Sequence, residues 1–256
     1  MNAPASHKSP LLLALLLVIA ANSGCVFFHG QRYHHFSTRT PLVRDHILVL
    51  GFMGGREPWN NDKRAVRKLA LKLRSMNLPY LHVETVENKK RHLAIELIRN
   101  AFDRNLDGHL DQQECASVRL ILFGHSFGGA AVVKLARQLK RMNVPVSLTV
   151  QIDSIGRGDK IIPSNVSRAA NLFQSNGLII RGEKQILPED PNKTTIIGNY
   201  RYDYRNKKVD IKEVSWLKKV FRAAHTKMEY DPEVWSKVEE MILSEIRDMR
   251  KGETAR

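Results

Sequence analysis

The sequence predicts an α/β fold: a mostly parallel central sheet with helices on both faces. Three observations carry this. Between His46 and Ile152, short apolar or β-branched runs alternate with segments of helical apolar spacing, the pattern of βαβ units. The chain has 256 residues, room for one such domain with a substantial core. Finally, the apolar run Leu120–Phe123 stops at a glycine and gives way to a small-residue helical pattern, so strand meets helix at Gly124-His125-Ser126-Phe127-Gly128.

The elements follow in order. His46–Leu50 is a short strand ending at Gly51. Asp62–Met76 is a helix whose Val66, Leu69, Ala70, Leu73 and Met76 share one face, and Asn77-Leu78-Pro79 breaks it. Tyr80–Val86 alternates as a strand, and Lys89–Phe102 returns to helical spacing. Val118–Phe123 is a buried strand, Gly128–Met142 a helix, and Val146–Ile152 the next strand, set off by Val144-Pro145. Beyond Asp153 the periodicity is weaker. Asn165–Gln174 reads as a helix, Leu178–Arg181 and Thr194–Ile197 as short strands, and Pro188 and Pro191 as a turn. Pro232–Met249 is the final helix, with Asp231 at its N-cap and Pro232 in its first position. There is no internal repeat and no low-complexity tract.

Apolar residues make up 43% and charged residues 26%, which excludes a disordered chain. The formal net charge is +15, but the basic residues are scattered over helical segments such as 63–74 and 134–141. No basic block carries interleaved aromatics, so a nucleic-acid groove is not expected. An anionic membrane surface or an anionic substrate fits that charge.

The first residues carry an address. Met1–Pro10 contains Lys8 and no acid, and Leu11–Ala21 is an unbroken apolar run, too short to span a bilayer but right for the core of an export signal. Gly24-Cys25 then resembles the end of a bacterial lipoprotein signal, with Cys25 as the lipidated residue. Asn22 stands where that signal carries Leu, Val or Ile, and cleavage after Ser23 is the rival. The expected organisation is a signal peptide over 1–24, a linker or wrapping segment over 25–45, and the α/β domain over 46–256. The expected location is the cell envelope, lipid-anchored to the membrane through Cys25, with a secreted or periplasmic soluble form as the alternative. Cys115 is the other cysteine, so a disulfide framework is excluded. His29, His34 and His35 in the wrapping segment lack a matching ligand pair and read as surface residues.

Gly124-His125-Ser126-Phe127-Gly128 is G-x-S-x-G between a strand and a helix, the context a nucleophile elbow requires. The glycines remove side chains that would collide where strand and helix cross, and Gly129, Ala130 and Ala131 let the helix pack closely on the sheet. The rival reading is a tight turn with Ser126 capping the helix. The GHSFGG stretch resembles the α/β-hydrolase superfamily on its lipase and thioesterase side, and the resemblance covers His46 to the C-terminus. It implies three further assignments. Leu48–Gly55 resembles the oxyanion loop, with Leu50 in place of the usual histidine; backbone N–H groups of Phe52 and Phe127 would then hold the oxyanion. His225, the only histidine after Ser126, would be the base. Asp153, at a strand end, would be the acid, favoured over Asp159; Asp190 and Asp203 lie further on.

A second motif lies upstream. Asp103–Glu114 matches a twelve-residue EF-hand loop, with Asp103, Asn105, Asp107, Asp111 and Glu114 at ligand positions, the His109 carbonyl at position 7, and Gly108 at the sharp turn. It predicts a structural Ca²⁺ clip, not a sensor, since no second loop exists to pair with and a full exiting helix does not fit before residue 118.

The expected activity is cleavage of a carboxylic ester or thioester in a small-molecule or lipid substrate through a Ser-His-Asp triad and an acyl-enzyme, with no cofactor required for the chemistry. The alternatives are a non-catalytic envelope lipoprotein that uses the hydrolase scaffold for binding, and a calcium-dependent binding module.

Overall fold

The computed structural model describes residues 30–177, 181–211 and 223–254. The expected export signal, Cys25 and most of the expected strand at 178–181 lie outside the described residues. Among those described, no helix is long and apolar enough to cross a membrane.

The chain builds β1 (Ile47–Met53), α1 (Ala65–Ser75), β2 (Leu81–Glu87), α2 (Arg91–Phe102), α3 (Gln112–Ser117), β3 (Leu120–His125), α4 (Phe127–Arg141) and β4 (Val146–Ile152). It continues through β5 (Ile161–Ile162), β6 (Val166–Gln174), β7 (Leu187–Pro188), β8 (Thr195–Tyr202), α5 (Ala223–Tyr230) and α6 (Pro232–Thr254). Six strands form one sheet in the order β2-β1-β3-β4-β6-β8, every neighbouring pair parallel; β5 and β7 make a separate two-stranded pair. This is the parallel α/β sheet with helices on both faces that the sequence predicts.

Side chains alternate across the pleat and feed two cores. Leu48, Leu50, Phe52, Leu120 and Leu122 pack with α2 and α4 on one face. Ile47, Val49, Met53, Ile121 and Phe123 pack with α1, α5 and α6 on the other. Covering both faces explains why β1 and β3 are buried at every position and read as unbroken apolar runs.

The segment 25–45, as far as it is described, wraps the β2 edge of the sheet. Gln31 donates to the Thr85 carbonyl at 2.7 Å, and Ser37 and Thr38 each give Glu84 a backbone N–H and a hydroxyl. These bonds occupy an edge strand that would otherwise be open to pairing.

One expectation is corrected. The predicted helix at Asn165–Gln174 is the strand β6, between β4 and β8. It is buried on both faces over most of its length, so it shows no alternation, and its polar members find distant partners: Arg168 with Glu245 and Asp248 of α6, Asn171 with the Glu183 carbonyl and Asn199. A short exit helix, α3, also forms after the acidic loop where a full one does not fit.

The chain runs β1 to β2 in one direction, then returns to place β3 on the opposite side of β1. Parallel sheets leave a crevice at the carboxyl ends of the strands at such a reversal. Ser126 follows β3 there, and Asp153 follows the neighbouring β4, whose Ile152 is register-paired with His125.

Candidate active site

Ser126 takes φ 59° and ψ −125°, a conformation outside the regions open to ordinary L residues. Holding it costs about 1–3 kcal/mol, which the surrounding structure must supply. Two glycines make it feasible. A Cβ on Gly124 would lie 2.5 Å from the Gly128 carbonyl, and one on Gly128 would lie 2.1 Å from the Phe52 carbonyl oxygen. Ser126 occupies the N-cap position of α4, yet its side chain makes no capping hydrogen bond. The strain therefore does not serve to cap the helix, and the hydroxyl is left available.

Asp153 is fully buried at φ 43°, a second strained residue at the next strand end. Its Oδ2 accepts from His225 Nδ1 at 2.6 Å. With the carboxylate as acceptor, Nδ1 is the ring nitrogen that donates, and Nε2 is left outside this bond. His225 lies in the first turn of α5. Gln174, at the end of β6, also donates its Nε2 to Asp153 Oδ2 at 3.1 Å, while its Oε1 accepts from the backbone N–H groups of Asn176 and Gly177, both at 2.9 Å. Those two bonds fix which way the Gln174 amide faces. Asp159 is buried too, but its Oδ2 accepts from Ser154 Oγ at 2.5 Å. Asp190 and Asp203 hold local turns, accepting from the N–H groups of Asn192 and Arg205 at 3.0 Å each.

His225 stacks on His125, the residue before Ser126, with ring centroids 4.8 Å apart and planes 19° from parallel. Burial pushes the His125 imidazole down to about 3, the neighbouring His225 and Arg64 push the same way, and Asp153 opposes them. A histidine freed by unfolding takes its proton near pH 6.5. Between that pH and the folded value, the unfolded chain binds the extra proton. The contribution of His125 to stability is therefore complete above about pH 6.5 and is lost at about 1.4 kcal/mol per pH unit as the pH falls. His125→Phe is expected to lose less stability than wild type between about pH 6 and pH 4. Parallel denaturation midpoints for the two proteins across that window would sink this account.

On the oxyanion side, Phe127 opens α4, so its N–H sits at a helix N-terminus next to Ser126, and its ring is half exposed. Phe52 lies within β1, paired with Gly124, with its side chain in the core. Gly54, just after β1, comes close to Ser126: a Cβ there would lie 3.4 Å from Ser126 Cβ and 3.2 Å from the His125 carbonyl oxygen. Asn88 holds this loop. Its Nδ2 donates to the carbonyls of Met53 at 3.0 Å and Gly55 at 2.6 Å, on either side of Gly54. The sequence reading did not find Asn88, Gln174 or His125. The Gly54-Gly55 pair is the one local signal of the close approach. Asn88→Ala is expected to lower kcat about a hundredfold with little change in melting temperature, because it frees the loop beside Ser126. Wild-type kcat in a folded variant would show that the loop holds itself.

The loop Asp103–Glu114 runs from the end of α2 into the first turn of α3. Asp103 accepts from the N–H of Gly108 at 2.8 Å, Asp107 from His109 at 2.8 Å, and Asp111 from Glu114 at 2.8 Å. Glu114 accepts from the N–H of Arg104 at 2.7 Å. Asn105 Oδ1 accepts from the N–H of Asp107 at 3.0 Å. The donor types suit a hard cation. The carboxylates are nonetheless turned onto the loop's own amides, and no group of three His, Cys, Asp or Glu side chains placed to hold a metal occurs among the described residues.

No family model matches this sequence, and no curated protein matches it. Solved structures with a similar path include the dienelactone hydrolase from Anabaena variabilis ATCC 29413, at 13% identity, 77% of this chain and 83% of that one covered, and a TM-score of 0.38. RedJ, with a PEG molecule bound in its active site, is 10% identical over 78% of this chain and 85% of that one, with a TM-score of 0.33. RedJ, the thioesterase from the prodiginine pathway of Streptomyces coelicolor, is 14% identical over 59% of this chain and 51% of that one, with a TM-score of 0.26. Likenesses this distant carry no weight for what this chain does.

Proposed function

We propose that this protein is a serine hydrolase that cleaves a carboxylic ester or thioester. The observation that carries the reading is a serine held in a strained elbow, its hydroxyl uncapped, that directly follows His125, whose ring stacks on a histidine with its Nδ1 engaged by a buried carboxylate. Ser126 Oγ attacks the acyl carbon while its proton passes to His225 Nε2. The carbonyl π electrons move to oxygen, and the Phe127 N–H, with a donor from the loop that follows β1, stabilises the oxyanion. The tetrahedral intermediate collapses, the leaving alcohol or thiol takes the proton from His225, and an acyl-serine remains. Water, deprotonated by the same histidine, releases the acid and restores Ser126. Asp153 holds the His225 tautomer and stabilises the imidazolium. The alternative is a hydrolase-shaped binding protein, in which the same side chains would be inert.

The loop Asp103–Glu114 is proposed to take Ca²⁺ as a structural clip at the entry to β3. Its helix-flanked form and its donor types support this. Its carboxylates would have to turn from the loop amides toward the ion.

The test is labelling of the purified protein with a fluorophosphonate, wild type beside Ser126→Ala, each with and without a calcium chelator. Labelling is expected in wild type and absent in the variant. A folded wild type that takes no label would favour the binding protein. Labelling and melting temperature that ignore the chelator would remove the calcium clip.

A further inference from the structure

We propose that His125 is the positioning residue of the histidine base: its buried ring, stacked on His225, locks the plane in which the Asp153 bond is made and offers a neutral π face to the imidazolium formed during acyl transfer. The inference rests on the serine-hydrolase reading for its catalytic part.

The geometry fixes His225 from two directions. Asp153 binds it in the ring plane at 2.6 Å. His125 lies against its face, nearly parallel. A single hydrogen bond leaves the imidazole free to swing about the axis of that bond, and a flat neighbour on its face removes the swing. Because His125 immediately precedes Ser126, the backbone that sets the nucleophile also sets the surface on which the base rests. The position of one is therefore tied to the position of the other, which is what proton transfer between them requires.

His125 has a second aromatic neighbour. The Trp235 ring meets it edge-on, with centroids 6.3 Å apart. It is 3% exposed, and its Nε2 is buried with no hydrogen-bond partner among the described residues. The charged and titratable groups that face it are His225 from α5, Asp153 from the end of β4, and Arg64 from the turn before α1. Arg64 is paired with Glu57 and Glu229. Two imidazoliums at this spacing would repel. Burial keeps His125 neutral, which removes that repulsion. A cation over a neutral aromatic face is attracted to it.

The experiment compares His125→Phe with His125→Leu, two apolar side chains of which only one is flat. Both are read by melting temperature, kcat, KM, the acid limb of the kcat/KM profile, and imidazole ¹⁵N shifts of His225. His125→Phe is expected to keep kcat, the acid limb and a single Nδ1–H tautomer. His125→Leu is expected to fold, to lose about tenfold or more in kcat at unchanged KM, to move the acid limb to lower pH, and to show averaged His225 tautomers. A leucine variant that matches phenylalanine in rate, acid limb and tautomer would overturn the proposal. A wild type that takes no fluorophosphonate would defeat the hydrolase reading instead, and the ¹⁵N spectra would still decide whether His125 holds the ring.

Discussion

Ser126→Ala is expected to lower kcat by roughly a million-fold, and adding His225→Ala to it is expected to lower kcat no further. The expectation comes from the shared task of the two residues. His225 has no catalytic role once there is no serine proton to take, so its removal from the alanine variant deletes nothing more. The residual rate would come from substrate binding and from the Phe127 end of α4, which the substitution leaves in place. The fold should tolerate the change, since the Ser126 side chain makes no capping hydrogen bond to α4. Alanine pays the same backbone strain as serine at φ 59°, so the melting temperature should move little. Turnover and melting, measured on both variants, check this. If the double variant is tenfold or more slower than Ser126→Ala, roughly 1.4 kcal/mol, the two residues act independently. The triad would then be the wrong description of the site.

The parts of this protein that were legible in its sequence are those whose information is local. From β1 to β4, strands and helices alternate with strong periodicity, and the carboxyl end of a parallel strand is a fixed place in the sheet. Ser126 could thus be put at a corner and Asp153 beside it with no knowledge of the rest. His225 was reached by the chain order that the resemblance implies and by its place just before the last helix, and its location in the first turn of α5 was not visible. What failed to show locally was what depends on partners far away in the chain. Strand β6 carries the half-buried Arg168 and the buried Asn171, and these polar groups are matched by α6, Glu183 and Asn199. Read alone, that composition favours a helix. His125, Asn88 and Gln174 have the same character. Each acts on a residue supplied by another element: His225, the peptides around Gly54, and Asp153. Spacing encodes none of these contacts.

Gln174 gives Asp153 its own mutational signature. Asp153→Ala is expected to lower kcat about 10⁴-fold, since His225 Nδ1 then lacks an acceptor and its tautomer is free. An asparagine usually does as much damage, because its amide can donate to Nδ1 and force the proton onto Nε2. Here the orientation of the new amide is not free. Gln174 Oε1 is held by two backbone N–H groups, so its Nε2 always points at the position that Asp153 Oδ2 occupies. In Asp153→Asn, an amide NH₂ placed there would face that donor at about the same spacing. The amide oxygen placed there would accept from it. The competing contact, the Gln174 backbone N–H on Oδ1, is longer at 3.4 Å and weaker. The asparagine oxygen should therefore take the Oδ2 position, keep accepting from His225, and preserve the productive tautomer. What it loses is the negative charge that stabilises the imidazolium. Asp153→Asn is thus expected to be about tenfold or more faster than Asp153→Ala, and Gln174→Leu in the asparagine background should abolish that advantage by freeing the amide to turn. Steady-state kcat for wild type and these three variants, with His225 ¹⁵N shifts for the tautomer, decides it. Equal losses for asparagine and alanine, with Nε2 protonated in the asparagine variant, would show that Gln174 does not hold the acid, and that Asp153 keeps its orientation through its own strained backbone alone.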